Sequence, residues 1–182
     1  NPDVLALSGH SKGALTAIRQ ISEMQVDIPM LAMTHCDASK LAKQHGKKSE
    51  YALCAAQWHK TLTYKDDFFG DGMKYDNDFN MEFGYAPPYQ AAESSAALLV
   101  WKDAFERANS FDTEKVRDAL AKTDMQTFYG NIKFGSGGQN TAKPMVLFQV
   151  RCEGDTCENK VVAPTKWASA ELVHPTPKWS ER

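Results

Sequence analysis

Gly9-His10-Ser11-Lys12-Gly13 matches the G-x-S-x-G pattern of a nucleophile elbow. It follows a short apolar run, residues 4–8, and opens a helical pattern, which is the context such an elbow requires. A hydrolase built on it would use Ser11 as nucleophile, a later acid as orienting group and a later histidine as base. His174 is the histidine far enough downstream for that order. The acid should stand just past a later parallel strand, yet the intervening sequence reads mostly as helix. The plainer reading makes Ser11 the N-cap of the helix it begins.

The chain has four cysteines, Cys36, Cys54, Cys152 and Cys157. Cys152 and Cys157 flank the turn-like Glu-Gly-Asp-Thr between two apolar runs, so they either bridge a hairpin or remain two thiols at a loop. A bridge would suit an oxidising compartment. Cys36 would need a neighbouring base to be a reactive thiol. No second Cys or His pair stands at zinc-ligand spacing, so no metal and no cofactor is expected.

Strand and helix patterns alternate in the first third. Residues 4–8, 30–34 and 51–58 read as strands. Residues 11 onward read as a helix with Ala14, Ile18 and Ile21 on one face, and 39–45 as a second helix closed by Gly46. That order predicts βαβ units on a parallel sheet. The middle is helical. Residues 71–83 carry Tyr75, Phe79 and Phe83 on one face and stop at Gly84. Residues 89–109 follow Pro87-Pro88, with Leu98, Trp101 and Phe105 expected inward and Ala91, Ala92, Ala96 and Ala97 allowing close packing. Asp112 should cap a helix over 113–122 that buries Val116 and Leu120. Strands are then expected at 127–129, 131–134, 145–151 and 160–163, with Gly135, Gly137 and Gly138 in a loop. Three parallel strands are few for a doubly wound sheet, so strands from residues before Asn1 are expected to complete it.

Over its 182 residues the chain is 42% apolar and 24% charged, with a net charge of −2. This is an ordinary globular balance. Its cations are dispersed among its anions, which excludes the one-sided basic face of a nucleic-acid binder. No apolar run reaches the roughly 18–20 residues of a membrane-spanning helix.

A set of short motifs runs in order through the second half. Phe83-Gly84-Tyr85-Ala86-Pro87-Pro88-Tyr89-Gln90-Ala91-Ala92-Glu93 comes first, then Val116-Arg117-Asp118-Ala119-Leu120. Thr127-Phe128-Tyr129-Gly130-Asn131-Ile132-Lys133-Phe134, Gly138-Gln139-Asn140 and Lys143-Pro144-Met145 follow. Together with Ile18-Arg19-Gln20 and Ala32-Met33-Thr34 upstream, the run resembles the branched-chain amino acid binding family of type I periplasmic solute-binding proteins, over roughly residues 2–175. The resemblance implies an α/β protein of two Rossmann-like lobes, parallel sheets flanked by helices, closing on a small ligand, with this chain as an incomplete C-terminal half. Residues 1–57 with 147–182 would form part of the second lobe and 58–146 a segment of the first.

It further implies a non-enzymatic receptor of an ABC importer, with a membrane permease and the missing N-terminal half as partners. Its location would be periplasmic, or extracellular and lipid-anchored. A ligand-sensing regulatory domain of the same fold is the remaining alternative. Ligands of open α/β sheets lie beyond the carboxyl ends of the strands, where helix N-termini favour anions. The turns Ser8-Gly9-His10-Ser11 and Thr34-His35-Cys36-Asp37 match, by order, the two second-lobe turns that contact ligand in the family. Where members with α-amino acid ligands place an aromatic and an acid, this chain has His10 and Thr34-His35, with Asp37 close by. A carboxylic or aromatic acid therefore joins the amino-acid-like solutes as an expected ligand. Trp58, at the inferred crossing between lobes, is expected either to wall the cleft or to pack in the core.

Overall fold

The computed structural model describes residues 2–36 and 38–182. In chain order its elements are β1 (Leu5–Leu7), α1 (Ser11–Glu23), β2 (Leu31–Met33), α2 (Ala38–His45) and β3 (Leu53–Ala56). Next come β4 (Lys65–Asp66), β5 (Gly70–Asp71), α3 (Gly72–Phe83), α4 (Tyr89–Ala108) and α5 (Thr113–Ala121). Four strands close the series: β6 (Asp124–Thr127), β7 (Gly130–Lys133), β8 (Val146–Glu153) and β9 (Thr156–Ala163). The chain divides into two compact units, one of Asn1–Ala56 with Val146–Arg182 and one of Gln57–Met145.

The first unit is built on a five-stranded sheet in the order β1-β2-β3-β8-β9. β1, β2 and β3 pair in parallel, as the two βαβ units demand. β8 returns antiparallel to β3, with Cys54 opposite Phe148, and β9 folds back on β8 as a hairpin. The sheet is therefore mixed. Strands β8 and β9 take the place beside β3 that a purely parallel reading leaves empty. Alternation along β8 buries Val146, Phe148 and Val150 on one face, and Gln149 is buried on the other at 1% exposure. On the helical side, Ala14 and Ile18 of α1 are buried one turn apart.

Two disulfides brace this unit. Cys152 and Cys157 are directly opposed in the β8–β9 hairpin, their Cα atoms 4.0 Å apart, across a turn where Gly154 takes φ +59°. Cys36 is bonded to Cys54, with Cα atoms 5.7 Å apart, and both are buried. Cys36 is thus no free thiol, which corrects the reading that made it a conditional nucleophile. The parallel pairing of Met33 with Cys54 carries the chain beyond β2 past β3 and brings these sulfurs together. A separation of 18 residues gives no hint of that.

The second unit is helical with two small hairpins, β4–β5 and β6–β7. Asp71 caps α3 by accepting from the Lys74 N–H at 2.8 Å, and Gly84 ends it in the left-handed region at φ +75°. Asp112 caps α5 in the same way, accepting from the Lys115 N–H at 3.0 Å. The core is an aromatic cluster in which Phe128, fully buried, stacks on Tyr75 at 4.2 Å and meets Phe69 at 5.0 Å.

Three expectations are corrected here. Leu98 and Trp101 are exposed, and the buried face of α4 is Ala92, Ala96, Val100 and Ala104 instead. Leu120 is only half-buried. The strand expected at 127–129 is the end of β6 and a turn, because Phe128 and Tyr129 bend the chain between Thr127 and Gly130.

Gly72 begins α3 with its Cα against the Lys60 backbone, and a Cβ there would lie 2.6 Å from the Lys60 carbonyl oxygen. Gly72→Ala is expected to cost about 1–3 kcal/mol, because that backbone must shift. Gly13→Ala, on α1 with open space around it, is expected to be neutral or stabilising by up to about 1 kcal/mol. Urea midpoints of the two variants check this; equal midpoints would contradict it.

Candidate functional site

The carboxyl ends of β1 and β2 lie side by side, because the strands pair in parallel from Leu5–Leu31 to Leu7–Met33. The turns that follow are tied together. The Thr34 N–H donates to the Leu7 carbonyl at 3.0 Å, extending the ladder by one residue. The Thr34 hydroxyl accepts from the Gly9 N–H at 3.1 Å and donates to the Gly9 carbonyl at 3.4 Å. The Ser11 hydroxyl donates to the His35 carbonyl at 3.0 Å. His35 adopts φ +52°, a left-handed conformation that turns the chain back after β2. The His10 and His35 rings face one another with centroids 5.3 Å apart, tilted by 58°.

Ser8, Gly9, His10, Ser11, Thr34 and His35 therefore form one surface, with Ser8, Gly9, His10 and His35 exposed and Ser11 and Thr34 half-buried. The N-cap of α1 is His10, whose carbonyl accepts from the Gly13 and Ala14 N–H groups at 2.8 and 3.2 Å. Ser11 is the first helical residue and does not cap, which corrects the sequence expectation. Its hydroxyl is turned across to the second turn. That engagement also deprives the elbow of its chemistry, since Ser11 donates to a backbone carbonyl rather than to a histidine. The N-terminus of α1, with the positive end of its helix dipole, lies at this surface. Asp37, the acid noted beside Thr34, lies outside the described residues.

Trp58 belongs to the second unit and is 4% exposed, edge-on to Tyr75 at 5.7 Å and to Phe128 at 6.1 Å. It sits in the aromatic core. No group of three or more His, Cys, Asp or Glu able to hold a metal ion occurs among the described residues.

A separate concavity of about 830 Å³ lies wholly within the second unit, bounded by α4, α5, β7 and the loop that follows. Sequence reasoning did not identify it. Lys143 reaches into it, its ammonium 4.1 Å from the Tyr129 ring centroid and in contact with the Gln57 carbonyl. Burial pushes the Lys143 ammonium down to about 8, against the opposing pull of Glu93. Burial likewise pushes the Tyr129 hydroxyl well up. The Lys-Pro-Met stretch marked this lysine only as part of a motif.

A family model described as periplasmic binding protein matches residues 1–156. Among solved structures, a leucine-binding protein from Thermotoga maritima superposes with a TM-score of 0.73 at 22% identity, over 91% of this chain and 46% of that one. A solute-binding protein of an ABC transporter from Rhodopseudomonas palustris BisB5, in complex with 3,4-dihydroxybenzoic acid, gives 0.70 at 13% identity over 96% and 46%. An ABC transporter substrate-binding protein from Desulfitobacterium hafniense, in complex with Leu, gives 0.63 at 16% identity over 86% and 43%. At these identities the likeness is one of fold. The chain spans about half the length of these proteins. A mixed sheet entered by two βα turns that meet at its carboxyl end, together with a family match running through most of the sequence, leads to one assignment: the chain belongs to the periplasmic binding protein family.

Proposed function

We propose that the protein carrying this chain is the solute-binding subunit of an ABC importer, and that its solute is a small carboxylate, amino-acid-like or aromatic. The observation that carries this reading is the joined pair of turns, which aims the α1 N-terminus and the His10 and His35 rings at one exposed surface. A carboxylate there would accept from the Ser11 and Lys12 amides, which precede the first intrahelical bond, and gain from the helix dipole. The imidazoles are further donors to it. Leucine and 3,4-dihydroxybenzoate, named with two of the similar structures, share a carboxylate and little else. By order in the chain, the resemblance puts an acid near the Thr34-His35 turn in members that take α-amino acids, whereas here the Thr34 hydroxyl is bonded to Gly9. That favours an acid without an ammonium group. Capture would be stoichiometric, with hinge closure shifted by the ligand and the closed form presented to a membrane permease. The two disulfides accord with a periplasmic or extracellular location.

The test is a thermal-shift series on the full-length gene product with leucine, benzoate and 3,4-dihydroxybenzoate. A cognate acid at about a hundred times its Kd should stabilise by about 2.7 kcal/mol. Thr34→Val, which removes both bonds between Thr34 and Gly9, should weaken that acid by about tenfold, or ~1.4 kcal/mol. If no carboxylate moves the melting temperature, the carboxylate reading fails. If Thr34→Val leaves the affinity unchanged, the turns are not the site.

A further inference from the structure

His10 and His35 stand 25 positions apart in sequence, so no local zinc-ligand spacing announces them. Parallel pairing of β1 with β2 sets them side by side at the carboxyl end of the sheet, both exposed. Among the described residues neither imidazole nitrogen is hydrogen-bonded, and each ring's contact is the other ring.

The backbone beneath both rings is held. The Gly9 N–H and carbonyl are bonded to the Thr34 hydroxyl, and the Ser11 hydroxyl to the His35 carbonyl, so cross-turn bonds bracket His10 and fix His35. The next residue, Cys36, is anchored to β3 through its disulfide with Cys54. His35 keeps φ +52°, a conformation that costs energy in a non-glycine residue and persists only where its surroundings impose it. Fixed placement of this kind lowers the entropy lost when two side chains take one ligand.

The separation of the rings is that of two imidazoles on one ion. A histidine nitrogen lies ~2.0–2.1 Å from zinc, which puts the ring centroid about 3.2 Å from the metal, and two such rings at the tetrahedral angle are about 5.2 Å apart. The His10 and His35 centroids are 5.3 Å apart. Two protein ligands are fewer than the three of a catalytic zinc site, so half of a tetrahedral shell stays open. The α1 N-terminus beside the rings disfavours a bare cation and favours an anion. A carboxylate oxygen in an open position answers both needs, because it completes the shell and meets the positive end of the dipole.

We propose that His10 and His35 chelate one late first-row divalent ion of the zinc class, and that its open positions take the carboxylate of the solute. Each neutral ring gives the lone pair of one nitrogen and keeps its proton on the other, and the carboxylate oxygen displaces a bound water. The rings then meet the carboxylate through the ion instead of by N–H donation. The chelate rests on the geometry of the first unit, and its link to a solute rests on the carboxylate reading above.

The test uses the full-length gene product, stripped of metal with a chelator, dialysed free of carboxylates and titrated calorimetrically with zinc chloride. His10→Asn and His35→Asn should each weaken one zinc site by at least about tenfold, asparagine being a residue that accepts the left-handed backbone of position 35. His174→Asn, at an exposed position outside the site, should leave that site unchanged. Cobalt in place of zinc gives a second reading, with the visible bands of a four-coordinate ion lost in both variants. Benzoate should then bind at least about tenfold more tightly with zinc than with chelator, and the gain should vanish in His35→Asn. Zinc binding that is the same in both variants as in the unaltered protein would overturn the proposal, as would a measurable benzoate affinity that zinc leaves unchanged. If benzoate, leucine and 3,4-dihydroxybenzoate bind under neither condition while both variants still lose the zinc site, the chelate is upheld and the carboxylate reading fails.

Discussion

Phe128→Ala is expected to destabilise the protein by about 3–5 kcal/mol, the upper range for a buried aromatic truncated to a methyl group. Phe128 is 0% exposed and joins four elements of the second unit's core. It stacks on Tyr75 of α3, packs against Phe69 beside the β4–β5 hairpin, meets Trp58, and sits at the β6–β7 turn. Its backbone N–H donates to Asp66 at 2.6 Å, and Asp66 also accepts from the Phe68 and Phe69 N–H groups. That bond pins the turn, so the chain cannot collapse into the space the ring leaves, and the cavity term is kept in full. Met81→Ala is the control, because that side chain is 78% exposed on α3 and should cost under about 0.5 kcal/mol. Urea unfolding followed by the fluorescence of Trp58, which touches the lost ring, reports both variants. A loss below 1 kcal/mol for Phe128→Ala would mean that the aromatic cluster is not the core of this unit.

Gln149→Leu should have the second-largest effect, on the order of 3 kcal/mol, although it replaces a polar group by an apolar one of similar size in a buried place. The Gln149 amide donates to the Tyr51 and Val173 carbonyls, each at 3.1 Å, and accepts from the Val173 N–H at 3.0 Å. Those are backbone groups, and the substitution leaves them unpaired next to the sheet. It also releases the segment around Val173 from β8. Gln149→Glu separates the hydrogen-bond loss from the shape change. Its carboxylate would face two carbonyl oxygens, so burial should hold its folded pKa above the ordinary Glu value near 4.3. Stability should then be highest below that value and fall as pH rises through the raised folded pKa. Leucine has no such dependence. Denaturation midpoints from pH 4 to 8 should therefore slope downward for the glutamate relative to the leucine variant, and parallel curves would contradict the hydrogen-bonding role.

Much of the local structure was legible because short-range rules set it. Asp112 announced its helix by capping chemistry that acts over three residues, and Gly84 announced the end of α3 by the backbone conformation it permits. Ala14 and Ile18 were placed by helical period alone. The parallel pairing of β1, β2 and β3 followed from the βαβ order. Periodicity failed on α4. It found an apolar stripe at Leu98, Trp101 and Phe105, but a helix with two such stripes offers no local sign of which one its neighbours take. The small residues on the opposite face won within this unit, because alanine allows the closer approach of packed elements.

At the candidate site the sequence determined the ingredients: a βα turn opening on a helix N-terminus, a second turn carrying Thr34 and His35, and an order of motifs that resembles one family. Only the tertiary structure decided how they are used. Parallel pairing of β1 with β2 brings Gly9 to Thr34 and Ser11 to the His35 carbonyl, 25 and 24 residues apart in sequence. It makes His10 rather than Ser11 the cap, and joins Cys36 to Cys54. Helix caps and turn types depend on groups a few residues apart and can be read from a linear sequence. A hydroxyl's choice of partner and a sulfur's choice of sulfur are competitions among groups distant along the chain, and packing of the sheet settles them.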